Sequence, residues 1–161
     1  MKILMVCLGN ICRSPLAEGI LQEKATKAGL QWNVESAGTG TWHIGQPPHQ
    51  LSQKVAAINN IDISQQRCRQ FKKEDMLVFD LIYAMDLEIY RNIKIMSGDL
   101  WNKNKADLLL NELYKGENRG VPDPYLGTEP DYHEVFSLIE KACDKIIEKY
   151  SSSHIQYSTI K

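Results

Sequence analysis

Hydrophobic positions along the chain alternate between short continuous runs and longer stripes at helical spacing. Residues 2–7 form an apolar run ended by Gly9-Asn10, which predicts a strand buried on both faces. Leu16, Ala17, Ile20, Leu21, Ala25 and Ala28 then recur at helical spacing until Gly29 offers a C-cap. Residues 32–38 alternate and end at glycine, as a second strand would, and residues 39–48 are a loop rich in Gly and Pro. Leu51, Val55 and Ile58 supply the next helical stripe.

Residues 69–75 predict a short charged helix leading into a third strand over 79–85 and a helix over 86–92. A fourth strand is expected at 94–97 and a helix at 106–114. The segment Val121-Pro122-Asp123-Pro124-Tyr125-Leu126-Gly127 holds two prolines and a glycine and must be a loop. Val135, Phe136, Ile139, Ala142, Cys143, Ile146 and Tyr150 mark the longest helix, over 131–150, before a Ser-rich tail at 151–161 that is expected to be flexible.

Strands alternating with helices predict an α/β fold class: a three-layer, doubly wound domain around a four-stranded parallel sheet. At 161 residues the chain is expected to be a single domain, 1–161. Ligands of such sheets sit beyond the carboxyl ends of the strands, where the winding reverses. The run Cys7-Leu8-Gly9-Asn10-Ile11-Cys12-Arg13-Ser14 leaves the first strand at such an end.

Nineteen Lys and Arg against 20 Asp and Glu give a net charge of -1, so no long-range field draws nucleic acid or an anionic membrane. Four cysteines without a Cys-x-x-Cys pair make neither a disulfide scaffold nor a zinc ribbon, and the four histidines have no metal spacing. The expected location is cytoplasmic. The run after Lys2 is too short for an export leader, has Val6 rather than a small residue before Cys7, and meets charge at Arg13 and Glu18.

What remains is local anion chemistry in the Cys7 loop. A strand, a glycine-containing turn and a helix start aim backbone N-H groups and a helix dipole at one point, forming a phosphate-binding loop between strand 1 and helix 1. These donors and a nearby arginine favour the thiolate form of Cys7. In the Cys-x5-Arg spacing, Arg13 points back over the sulfur with a planar fork for two phosphoryl oxygens. Ser14 is placed to donate to the sulfur, and Gly9 and Asn10 enter left-handed backbone conformations cheaply. Asp123, in a stiff Pro-Asp-Pro turn, is the candidate general acid for a poor leaving group, or else only a rigid turn with an Asx bond. Cys12, on the same loop, is either a redox partner for Cys7 or a buried filler; Cys68 and Cys143 read as structural.

The residues Val6 to Pro15, with Asp123-Pro124-Tyr125, resemble the low-molecular-weight protein tyrosine phosphatases, bacterial type, and the similarity extends through Ser36-Ala37-Gly38, Trp42, Arg69-Gln70, Lys73-Glu74-Asp75 and Ala84-Met85-Asp86. The resemblance implies a flavodoxin-like fold and metal-independent hydrolysis of phosphotyrosine and aryl phosphates without a cofactor. By it Cys7 is the nucleophile, Arg13 the phosphate clamp and Asp123 the acid and later base. Leu8, Gly9, Asn10, Ile11, Cys12, Arg13 and Ser14 would bind phosphate. Asn10, Ser14 and Ser36 would support the loop, and Leu8, Ile11, Trp42, Tyr125 and Leu126 would wall the substrate pocket. Two positions depart from the family pattern: Gln66 stands where histidine is usual, and Leu126 where many members carry a second aromatic.

Other readings stay open on the same residues. Thioredoxin-coupled arsenate reductases resemble the loop but need cysteines after the third strand, and residues 83–95 have none. Protein arginine phosphatases of the same fold carry threonine where this chain has Ile11. A phosphate-binding module without chemistry would keep the anion nest, and an iron-sulfur site on Cys7 and Cys12 would need two further ligands. The implied partners are a phosphotyrosine protein, a tyrosine kinase among the candidates, and a phosphate-like oxyanion in the site.

Overall fold

The computed structural model describes residues 1–155. Its elements run β1 (Lys2–Cys7), α1 (Arg13–Lys27), β2 (Asn33–Gly38), α2 (Gln50–Ile58), α3 (Asp75–Val78), β3 (Leu81–Ala84), α4 (Leu87–Ser97), β4 (Ala106–Leu108) and α5 (Glu129–Ile155). All strand pairs are parallel, in the order β2-β1-β3-β4. The sheet is therefore wound outward in both directions from β1, and the winding reverses at its carboxyl end.

Alternation along β1 divides the core. Ile3, Met5 and Cys7 face α1 and α5, packing with Leu16, Ile20, Tyr132, Phe136 and Ile139. Leu4 and Val6 face the other way, onto Phe71, Met76, Phe79, Ile89 and Ile93. A strand buried on both faces has no room for polar residues until it emerges, and Cys7 is where it does.

Several sequence expectations need correction. Residues 94–97 are the last turn of α4: Ile89, Ile93 and Ser97 are buried at four-residue spacing, while Ile95 is 77% exposed. The fourth strand is Ala106–Leu108, followed by a 3-10 turn over Leu109–Glu112, so 106–114 is not a helix. Residues 69–73 are not helical either. Gln70 bridges Gly38 in the sheet direction, and only Asp75–Val78 forms a helical turn. Finally, α5 continues through Ile155, so the part of the expected tail at 151–155 is helical, and the rest of the tail lies outside the described residues.

Candidate active site

The loop leaves β1 at Cys7 and enters α1 at Arg13. Asn10 makes the turn in a left-handed conformation, φ 55°, which asparagine tolerates better than most residues. Gly38 at the end of β2 makes the close packing possible, since a Cβ there would stand 2.7 Å from Leu8 O. The N-terminus of α1 has no side-chain cap and no acidic residue in its first turn, so its positive end is left for an external anion.

Cys7 is a free thiol, 2% exposed, at the floor of this nest. The Asn10 backbone N-H donates to its Sγ at 3.2 Å, and Ser14 Oγ lies 2.9 Å away. Ser14 Oγ in turn accepts from Asn10 Nδ2 at 2.8 Å, and Ser36 Oγ accepts from the same nitrogen at 3.0 Å. Asn10, Ser14 and Ser36 thus stand together behind the loop.

Arg13 is 3% exposed and donates through Nη1 to Asp86 Oδ2 at 2.7 Å and to Val121 O at 3.0 Å. Burial opposes its charge, but the proximity of Cys7, Asp86 and Asp123 outweighs burial and holds the guanidinium pKa above its ordinary value. Asp123 Oδ2 lies 3.7 Å from Arg13 Nη2 across the mouth, while its Oδ1 accepts from Tyr125 N at 3.1 Å. The Pro-Asp-Pro segment is therefore both an Asx turn and a carboxylate aimed at the site.

A cleft of about 400 Å³ is lined by Cys7, Leu8, Gly9, Ile11, Cys12, Arg13, Trp42, His43, Asp123 and Tyr125. Trp42 is 67% exposed and stands against Gly40, where a Cβ would be 2.0 Å from the indole. Its ring walls one side of the cleft. Leu126, expected as another wall, is 95% exposed and instead edges an adjoining groove with Pro47, Pro48 and His49. With Gly127 N bound to Pro124 O, the turn carries residue 126 outward.

Cys12 turns its thiol toward Tyr132 OH at 3.4 Å, and burial pushes its pKa up to about 11. Cys68 donates to Gly9 O at 3.1 Å, tying the residue 66–74 segment to the loop; Cys143 is fully buried in α5. Gln66 does not reach Asn10. Its Nε2 donates to Pro15 O at 3.1 Å, and the Asn10 Oδ1 acceptor is filled by Arg69 N at 3.0 Å. Asp86 and Glu18, which sequence reasoning did not single out, also touch this assembly, Glu18 through Ser36 Oγ at 2.5 Å.

The family model for low molecular weight phosphotyrosine protein phosphatase matches residues 2–155. The chain belongs to this family. YfkJ of Bacillus subtilis, a low molecular weight protein-tyrosine-phosphatase, is 38% identical over 148 residues, covering 91% of this chain and 93% of the relative. Its crystal structure superposes with a TM-score of 0.87, covering 95% and 96% of the two chains. Vibrio vulnificus Wzb, solved with benzylphosphonate, is 26% identical, with a TM-score of 0.82 over 92% of this chain and 97% of its own. The Bacillus subtilis arginine phosphatase YwlE, solved with a phosphorylated active site serine in place of cysteine, is also 26% identical, with a TM-score of 0.85 over 94% and 96%. Membership makes this chain a phosphoric monoester hydrolase of the α/β class, and the free Cys7 and buried Arg13 fit that chemistry.

Proposed function

We propose that the chain hydrolyses phosphotyrosine in proteins through a phosphocysteine, with Cys7 as nucleophile, Arg13 as phosphate clamp and Asp123 as general acid and base. The observation that carries this reading is the placement of Asp123 Oδ2 3.7 Å from Arg13 Nη2, over a cleft whose floor is the Cys7 thiol. The Cys7 sulfur attacks phosphorus as the P-O bond to the phenol breaks, and Asp123 gives its proton to the departing oxygen. Water then attacks phosphorus, Asp123 takes a proton from it, and the P-S bond breaks to release phosphate and restore the thiolate. The N-H groups of the loop and the Arg13 fork meet the charge that builds on the equatorial oxygens.

Aromatic specificity is supported by the walls. Ile11, Leu8, Trp42 and Tyr125 offer flat and branched apolar surface to a ring, and among the described residues no carboxylate other than Asp123 lines the cleft to meet a phosphoguanidinium. Loop residues and protein groups supply every charge the reaction develops, so the mechanism is metal-independent, and a reducing cytoplasm keeps the required thiol free. A tyrosine kinase and its substrates are the partners this activity answers. The test is turnover of an aryl phosphate, a phosphotyrosine peptide and a phosphoarginine peptide in EDTA by the wild type and Cys7→Ser. Expected is turnover of the first two, abolished in the variant; preference for phosphoarginine, or full activity without the thiol, overturns the reading.

A further inference from the structure

Asn10 is the branch point of a network whose two arms both end on acidic groups. Its Oδ1 accepts from Arg69 N, and its Nδ2 donates to Ser14 Oγ and Ser36 Oγ. An amide NH2 only donates, so each serine oxygen is an acceptor toward Asn10 and keeps its own hydrogen to give away. Ser14 faces Cys7 Sγ at 2.9 Å, and Ser36 faces Glu18 Oε2 at 2.5 Å. With Cys7 as the thiolate, the Ser14 hydrogen goes to Sγ at 2.9 Å in preference to the more distant Ala37 O at 3.5 Å, so polarity runs outward from Asn10 along both arms, to the thiolate on one side and to a carboxylate on the other.

Glu18 lies on α1 four residues after Ser14, on the same helix face. The charged groups that bear on it are Glu35 of β2 and Arg69. Arg69 is shared: it binds Asp75 at 3.0 and 3.1 Å and lies 3.6 Å from Glu35. The neighbouring Gln66 is neutral and gives its Nε2 hydrogen to Pro15 O.

We propose that Glu18 is a positioning residue of this active site: as the terminal acceptor behind Ser36, its carboxylate holds Asn10 in its left-handed turn and so aims the Ser14 hydroxyl at Cys7. The proposal rests on the reading of Cys7 as nucleophile. Burial, with repulsion from Glu35, raises the Glu18 pKa to about 7 against the pull of Ser36 and Arg69. Protonation turns the charged acceptor into a neutral carboxyl, and the hydrogen bond from Ser36 to a neutral group is the weaker one, so the arm loosens. The loop is then held most firmly above neutral pH.

The test reads the rate at which iodoacetamide alkylates Cys7, located by mass spectrometry, alongside kcat and KM for an aryl phosphate. Glu18→Met removes the acceptor and keeps the bulk, and Glu18→Gln keeps a neutral acceptor that does not titrate. Loss of a hydrogen bond to a charged group predicts that E18M slows alkylation about threefold and kcat about tenfold while KM stays within about twofold. E18Q, whose amide oxygen still accepts from Ser36, regains part of the kcat lost in E18M and flattens the rise in alkylation between about pH 6 and about pH 8. In a Ser36→Ala background, E18M adds no further loss. An equal loss in both backgrounds, unchanged alkylation in E18M, or an unaltered pH dependence in E18Q overturns the proposal. Alkylation is read without turnover, so it separates this proposal from the phosphatase reading.

Discussion

Arg13 Nη1 donates to Asp86 Oδ2 at 2.7 Å while the other oxygen of the same carboxylate accepts from Ile89 N at 2.9 Å. Asp86 is thus the N-cap of α4 and the anchor of the arginine over Cys7, with the backbone of β3 and α4 as its mount. Replacing it by asparagine keeps the cap geometry but leaves the buried guanidinium without its nearest anion. Asp86→Asn is expected to weaken inhibition by phosphate or vanadate by about tenfold with little change in melting temperature. Asp86→Ala, which also removes the cap, is expected to lower it by roughly 2–4 °C as well. Equal oxyanion affinity in D86N and wild type would detach Asp86 from the clamp.

Asp123 is half exposed, held by its Asx turn, and reaches the site only through Oδ2. Its value should therefore depend on the leaving group. Asp123→Asn is expected to cut kcat on phenyl phosphate by roughly a hundredfold or more, and by much less on an ester whose phenol is already acidic. Oxyanion inhibition constants should stay near wild type. Equal losses on both esters would contradict an acid role.

The loop was legible because its constraints are local: an apolar run, Gly9-Asn10 and the Cys-x5-Arg spacing each act within eight residues. What escaped had no local signature. Ile93, Ile95 and Met96 look like a strand in isolation, yet only Ile93 is buried, because the α4 stripe of Ile89, Ile93 and Ser97 already fixed the helix. The three-residue β4 is too short to alternate, and tertiary pairing with β3 decides it. Asp86 could be read as a helix cap, but its bond to a residue 73 positions away could not. Glu18 had one signal, an acid beside Ala17 and two residues before Ile20 on an apolar stripe, which carried no meaning until Ser36 was seen against it.

Trp42 owes its orientation to Gly40. A methyl group at residue 40 would overlap the indole at 2.0 Å, and the ring, being exposed, can swing away rather than compress the backbone. Gly40→Ala is expected to raise KM for aryl phosphates several-fold, roughly the worth of one aromatic contact, with inhibition by inorganic phosphate unchanged. A matching loss of phosphate affinity would show that the substitution disturbs the loop itself instead of the wall.

Glu18 should also leave a mark on stability. Its pKa is about 7 in the folded protein against 4.5 for the free side chain. The native state therefore holds the proton more tightly, and stability falls as pH rises between those two values. At about 1.4 kcal/mol per unit the ceiling is roughly 3 kcal/mol. Glu18→Gln removes this penalty, so the variant is expected to melt several degrees above wild type near pH 8 and close to it below about pH 5. Melting curves of both proteins across that range check the sign. A difference that does not grow with pH would mean that Glu18 is ionised in the folded protein at no cost, with Arg69 and Ser36 offsetting its burial in full.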